Sequence, residues 1–193
     1  MTGAPSPWVR RFAHLVRPAA SALDLACGSG RHAAFLAGLG AKVVAADRDP
    51  ACGAALAGVD GVRFVACDLE GDAWPFAGQR FDAIVVTNYL HRPLFPRIAA
   101  ALAPGGVLIY ETFAVGHQRF GRPSRPQFLL RPGELLRGFM PVLRIVAYED
   151  GVVGDPAAAR VQRLCAVHDL AERDAAEGAP LAPLPPGPPR PPQ

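Results

Sequence analysis

Residues 23–36, LDLACGSGRHAAFL, decide how the rest of this chain is read. An apolar run (Leu23, Leu25, Ala26) stops at a loop around Gly28 and Gly30. Helical spacing then begins at Ala33, Ala34, Leu36 and Ala37. The order is strand, glycine turn, helix. Glycine suits such a turn because it tolerates positive φ, and because its missing Cβ lets a ligand lie against the backbone. The free N–H groups at the start of the helix favour a negative group on the turn. The pattern predicts a nucleotide-like ligand over Gly28–Gly30. An ordinary strand-to-helix connection that binds nothing is the alternative.

The chain repeats this alternation downstream. Lys42–Asp47, KVVAAD, is an apolar strand ending on an acid. Asp47 falls at the offset where a βαβ unit sets a carboxylate beside a ribose, and a carboxylate accepts well from two vicinal hydroxyls. The competing role for Asp47 is to cap a short helix over about 51–57. Val62–Ala66 is a third strand, with Asp68 just past its end. Residues 70–80 read as a loop, and Phe81–Val86 as a fourth strand running into Thr87–Pro93. Pro93 suits the first turn of a helix that continues over Leu94–Leu102. Pro104-Gly105-Gly106 then turns the chain into a fifth strand, Val107–Phe113. Strands alternating with helices predict a parallel sheet covered on both faces.

The flanks are simpler. Residues 1–7 read as loose. Trp8, Val9, Phe12, Leu15 and Val16 predict an amphipathic helix over 8–17, ended by Pro18, which either packs on the sheet or covers a ligand cleft. Residues 114–126 form a polar loop carrying Arg119, Arg122 and Arg125. A short helix is expected over 132–139, then two strands, 142–148 and 161–168, joined as a hairpin-like return. Residues 177–193 are dominated by proline and form no packed element. The expected organisation is one domain over 1–176: a leading helix, a ligand-binding core over 21–113 and substrate-side elements over 114–168.

Half of the 193 residues are apolar and the net charge is +3, which fits one domain with a substantial core. So small a charge argues against a nucleic-acid partner, and no protein partner is evident. The four cysteines are scattered without a C-x-x-C pair, so no metal site is expected and the thiols read as reduced, small apolar residues. No stretch reaches the ~18 apolar residues of a membrane span, and the expected location is cytoplasmic.

Four of these segments, in this order and at these spacings, resemble the motifs of the class I S-adenosylmethionine-dependent methyltransferases. The likeness runs from about residue 21 to 168. Asp24-Leu-Ala-Cys-Gly28-Ser-Gly30 is similar to the glycine-rich first motif, with Ala26 and Arg31 where glycines are common. Asp47 matches the ribose-binding acid, Asp68 the acid at the adenine amino group, and Leu102–Leu108 the Pro-Gly-Gly turn. A narrower likeness is to the tellurite-resistance and thiopurine methyltransferase-like branch. The resemblance implies a Rossmann-like, seven-stranded, mostly parallel sheet with helices on both faces. Its strand order is 3-2-1-4-5-7-6, and strand 7 is antiparallel. It implies S-adenosyl-L-methionine as cofactor, held by Asp24, Gly28, Gly30, Arg31, Asp47, Asp68, Leu69 and Asn88. The acceptor is expected to be a small molecule.

In that fold the segment after the fourth strand faces the transferable methyl. Asn88, Tyr89, His91 and Arg92 lie there, without the N-P-P-[YF] pattern of nucleobase amino methylation. His91 is a candidate general base, or a capping or surface histidine; Tyr89 is a candidate catalytic or stacking ring. Arg92, Glu111, Arg119 and Arg122 are candidate substrate contacts. Two rival readings stand beside this one. Gly28-Ser-Gly30-Arg-His-Ala33 also fits the G-x-G-x-x-A of an NAD-dependent oxidoreductase, although Asp24 inside the strand and Asp68 then go unexplained. A non-catalytic methyltransferase-like binding module is the other.

Overall fold

A computed structural model describes residues 3–154 and 157–169; the proline-rich tail expected over 177–193 lies outside them. In chain order the elements are α1 (Pro7–Phe12), β1 (Ser21–Leu25), α2 (Arg31–Gly38), β2 (Lys42–Asp47), α3 (Ala51–Ala54), β3 (Val62–Ala66), β4 (Phe81–Thr87), α4 (Leu94–Ala101), β5 (Leu102–Phe113), α5 (Glu134–Phe139), β6 (Arg144–Val153) and β7 (Ala159–Val167). The seven strands form one sheet in the order β3-β2-β1-β4-β5-β7-β6. β1 through β5 pair in parallel, and β7 runs antiparallel to both of its neighbours. Order and polarity match the expectation for the fold. The order reverses at β1–β4, and such sheets leave a crevice outside the carboxyl ends of the strands there.

The central strands are apolar on both faces, as a sheet covered on both sides requires. β4 buries six of its seven residues, and in β1 Ala22, Leu23, Asp24 and Leu25 are all buried. One core cluster, with Phe95, Ile98, Leu135 and Phe139, lies under α4 and α5. The other, with Trp8, Val9, Phe12 and Leu36, lies under α1 and α2. Helix α1 has six residues, too few to be stable alone. It is held by burial of Trp8 and Phe12, each contributing on the order of 2–3 kcal/mol, and by the Trp8 indole N–H donating to the Leu164 carbonyl at 3.3 Å.

Several boundaries differ from the sequence reading. The first helix stops at Phe12 and continues as a 3-10 turn over Ala13–Leu15 rather than reaching residue 17. The segment before it is not loose: Ser6 is buried, and its side chain accepts from the Trp8 N–H at 3.1 Å as the cap of α1. Helix α3 has only four residues, and it packs against β3 at Gly53, where a Cβ would sit 2.5 Å from the Phe64 ring. The Pro104-Gly105-Gly106 turn lies inside β5 as an irregularity, with pairing stepping from Phe81↔Leu102 to Ala83↔Val107. A Cβ on Gly106 would meet the Ala103 and Phe81 carbonyls at 2.8 and 2.9 Å, so the strands close up only around glycine there. β6 begins at Arg144 rather than Val142 and runs on to Val153.

Candidate functional site

The glycine turn lies at the carboxyl end of β1. Gly28 has φ +52° and open space where a Cβ would point, so its backbone is available to a ligand. Gly30 precedes α2 at φ +73°, the left-handed backbone that the turn predicts for glycine. Packing adds a requirement that the sequence did not suggest, since a Cβ there would lie 2.4 Å from the Leu56 side chain. Two non-glycine residues, Ala26 (φ 53°) and Asn88 (φ 55°), hold left-handed backbone at the ends of the adjacent strands β1 and β4. Such strain persists only where the surroundings enforce it, and it gathers at ligand sites.

Both strained residues line a cavity of ≈ 430 Å³ at this end of the sheet. Asp47, Asp68, Leu69 and Tyr89 line it too, with Pro123 and Phe128 on the far side. Asp47 Oδ2 accepts from the Gly28 N–H at 2.9 Å, and Oδ1 from the Asp49 N–H at 3.1 Å. An ionised carboxylate offers about four acceptor positions, so two remain for ligand hydroxyls. Capping at α3 falls instead to Asp49, whose side chain accepts from the Ala51 N–H at 2.9 Å. Asp68 is exposed; one oxygen accepts from the Glu70 N–H at 2.8 Å and the other has no hydrogen bond among the described residues.

Asp24 is buried behind the turn rather than lining the cavity. Its Oδ2 accepts from the Ala33 N–H at 3.0 Å, tying α2 to β1. Its Oδ1 is buried with no hydrogen-bond partner among the described residues. Burial pushes its pKa up to about 7, against the pull of the Ala33 N–H and the Arg31 guanidinium. A buried, unsatisfied carboxylate oxygen next to a glycine turn fits a ligand that carries an ammonium.

A second cavity, of ≈ 310 Å³, meets the first at Asn88. Its walls come from both ends of the chain: the segment Ala4–Pro7 with Arg10, and the β6–β7 return with Val161 and Arg163. Arg31, Glu111 and Phe113 complete it. Glu111 is buried; Oε1 accepts from the Ser6 hydroxyl at 2.8 Å and Oε2 from the Arg163 guanidinium. Arg163 also reaches Glu149 at 3.3 Å, which Arg11 meets at 2.9 Å. The Ser6 N–H donates to Nε2 of the buried His32 at 3.1 Å. Burial, then Arg31, lowers the His32 pKa to about 4, so the ring is neutral. With Nε2 accepting, the proton sits on Nδ1 and points to the Thr87 hydroxyl at 3.3 Å. His32 had no local signal in the sequence, because its partners Ser6 and Thr87 are 26 and 55 residues away, and the local capping position of Ser6 does not report its contact with Glu111, 105 residues on.

The remaining candidates are placed as follows. Tyr89 donates to Glu70 at 3.4 Å, and burial raises its pKa, so it stays protonated. His91 lines neither cavity, and its carbonyl accepts from the Leu94 N–H at 3.0 Å. Arg92 lines neither cavity. It pairs with Glu134 and donates to the Gln127 and Leu129 carbonyls at 2.8 and 2.9 Å, clamping the loop before α5. Arg119 and Arg122 are exposed and line neither cavity; the loop that carries them reaches the first cavity through Pro123 and Phe128. Among the described residues no group of three or more His, Cys, Asp or Glu could hold a metal. No described helix is long and apolar enough to cross a membrane.

A family model described as a methyltransferase domain matches residues 22–106, the stretch that builds the glycine turn and both acids. The fold is similar to that of TehB from Haemophilus influenzae (TM-score 0.72, 18% identity over 86% of this chain). This chain covers 63% of that protein's chain. It is also similar to a TehB-like S-adenosylmethionine-dependent methyltransferase from Corynebacterium glutamicum (TM-score 0.62, 20% identity, 83% of this chain and 86% of that chain). A third similar structure is 1,6-didemethyltoxoflavin-N1-methyltransferase from Burkholderia thailandensis (TM-score 0.60, 26% identity, 83% of this chain and 76% of that chain). That enzyme was solved with S-adenosylhomocysteine and 1,6-didemethyltoxoflavin bound. Comparison with curated protein sequences finds no match. The domain match over residues 22–106 is to a methyltransferase domain, and the fold is similar to that of S-adenosylmethionine-dependent methyltransferases.

Proposed function

We infer that this protein transfers the methyl group of S-adenosylmethionine to a small-molecule acceptor, with the cofactor's nucleoside in the larger cavity. One observation carries the reading. Asp47 and Asp68 follow adjacent parallel strands and line the same cavity as the strained residue Ala26 of the glycine turn. Asp47 accepts the ribose hydroxyls and Asp68 the adenine amino group, with Leu69 and Tyr89 against the base. Gly28 leaves room for the backbone to approach the ligand. Arg31 meets the methionine carboxylate by a charge-assisted hydrogen bond, and the unpartnered oxygen of Asp24 faces the ammonium's charge. Asn88, shared by both cavities, marks where methyl and acceptor meet.

When bound, the cofactor supplies a methyl already activated by the sulfonium. The protein's task is alignment and exclusion of water. Thr112, Pro123 and Phe128 close one side of the first cavity, and the Ala4–Pro7 segment closes the second. The N1-methyltransferase acting on didemethyltoxoflavin supports a small acceptor by its likeness in fold. Calorimetry with S-adenosylhomocysteine tests the reading. Asp47→Ala is expected to weaken binding by roughly 1.5–3 kcal/mol, the range for hydrogen bonds to a charged group. Unchanged affinity would move the ribose elsewhere.

A further inference from the structure

Once the cofactor is accounted for, the charges of the described residues around the second cavity do not balance. Arg163 is neutralised by Glu111 and Glu149. Arg31 is matched by the methionine carboxylate under the function proposed above, on which this inference rests. Arg10 is left over. It lines the cavity from the exposed side of α1 and has no ion pair or hydrogen bond from its side chain among the described residues. Much of the remaining wall is apolar, with Pro5, Pro7, Phe113, Val153 and Val161 beside the polar Ser6 and Asn88. A cavity of ≈ 310 Å³ is at the small end of ligand sites.

We propose that the second cavity is the acceptor site, that it takes a small organic anion with an apolar body, and that Arg10 determines this specificity by gripping the anionic group. The guanidinium forks onto a carboxylate with two parallel hydrogen bonds, while Phe113 and the valines take the apolar body. The positive sulfonium next door adds to the attraction for an anion. Glu111 repels it little, because both of its oxygens already accept hydrogen bonds from Ser6 and Arg163.

The test uses the full chain saturated with S-adenosylhomocysteine, so that the cofactor's own carboxylate is already in place. Benzoate and phenylacetate are titrated by calorimetry against their neutral amides. At least one carboxylate is expected to bind one-to-one and at least tenfold tighter than its amide. Arg10→Ala should remove at least tenfold of that affinity, and Arg10→Lys only part of it, with S-adenosylhomocysteine binding unchanged in both. Failure of both carboxylates to bind, parity with the amides, or indifference to Arg10→Ala would overturn the proposal. So would loss of S-adenosylhomocysteine affinity in Arg10→Ala, which would assign Arg10 to the cofactor. Failure of S-adenosylhomocysteine to bind the unaltered protein would instead strike the proposed function itself.

Discussion

Asp24 holds the fold together and, under the proposed function, also serves the ligand. Its Oδ2 fixes the start of α2 through Ala33, and its Oδ1 is left buried without a partner among the described residues. With the carboxyl raised to about 7 by burial, the free protein holds it partly protonated near neutrality. A bound ammonium favours the ionised form, so binding must expel that proton at lower pH. The affinity for S-adenosylhomocysteine is therefore expected to rise as pH goes from about 5.5 to 7.5, and Asp24→Asn should flatten the rise. Titrations at both ends of that range check this; an equal slope in the variant would remove Asp24 from the binding reaction. The sequence singled out Asp24, Asp47 and Asp68 as candidates, because their spacing along the chain maps onto strand ends. It did not show the packing requirement at Gly30, since the obstructing Leu56 is brought there only by the tertiary fold.

Among the elements, the segment Ala4–Pro7 with α1 and the loop 114–130 are the two that shape the cavities, and each is pinned by a few polar contacts. The first hangs on His32. In the unfolded chain its imidazole titrates near 6.5, while in the folded protein it resists protonation until about pH 4. The unfolded state thus binds the extra proton first, and stability is lost as pH falls through that window. The loss is expected to reach up to roughly 3 kcal/mol at full protonation. Urea unfolding at pH 7 and pH 4.5 measures it, and His32→Asn should show a shallower loss than the unaltered protein. Matching losses would mean that His32 does not hold the segment. The loop hangs on Arg92. Its pairing with Glu134 is partly exposed, and screening by solvent keeps its contribution to global stability small. Arg92→Ala is expected to speed proteolytic cleavage within 114–130 with little change in melting temperature. An unchanged cleavage rate would show that the clamp is dispensable. Arg92 read from sequence as a substrate contact because it follows β4; its true neighbours, Gln127, Leu129 and Glu134, are more than thirty residues on.

At the scale of the whole molecule, the strands themselves were legible in the sequence, while their order and the antiparallel β7 were what the resemblance to the methyltransferases implied. Each strand is a short apolar run bounded by turn residues, and the motifs at strand ends carry that resemblance. The first cavity was legible for the same reason, since its acids are local to those ends. The second was not: it forms where the N-terminal segment, the ends of β4 and β5, and the β6–β7 return converge, and no periodicity in the chain reports such a meeting. The central claim is that the crevice at the β1–β4 reversal holds an adenosyl sulfonium cofactor rather than a dinucleotide. Thermal unfolding with S-adenosylmethionine, S-adenosylhomocysteine and NADH in parallel tests it most directly. At about 100 times Kd a ligand adds roughly 2.7 kcal/mol of stability, which for a domain of this size raises the melting temperature by roughly 5–10 °C. The account predicts that shift with both adenosyl compounds and none with NADH; a shift with NADH alone, or with none of the three, would contradict it.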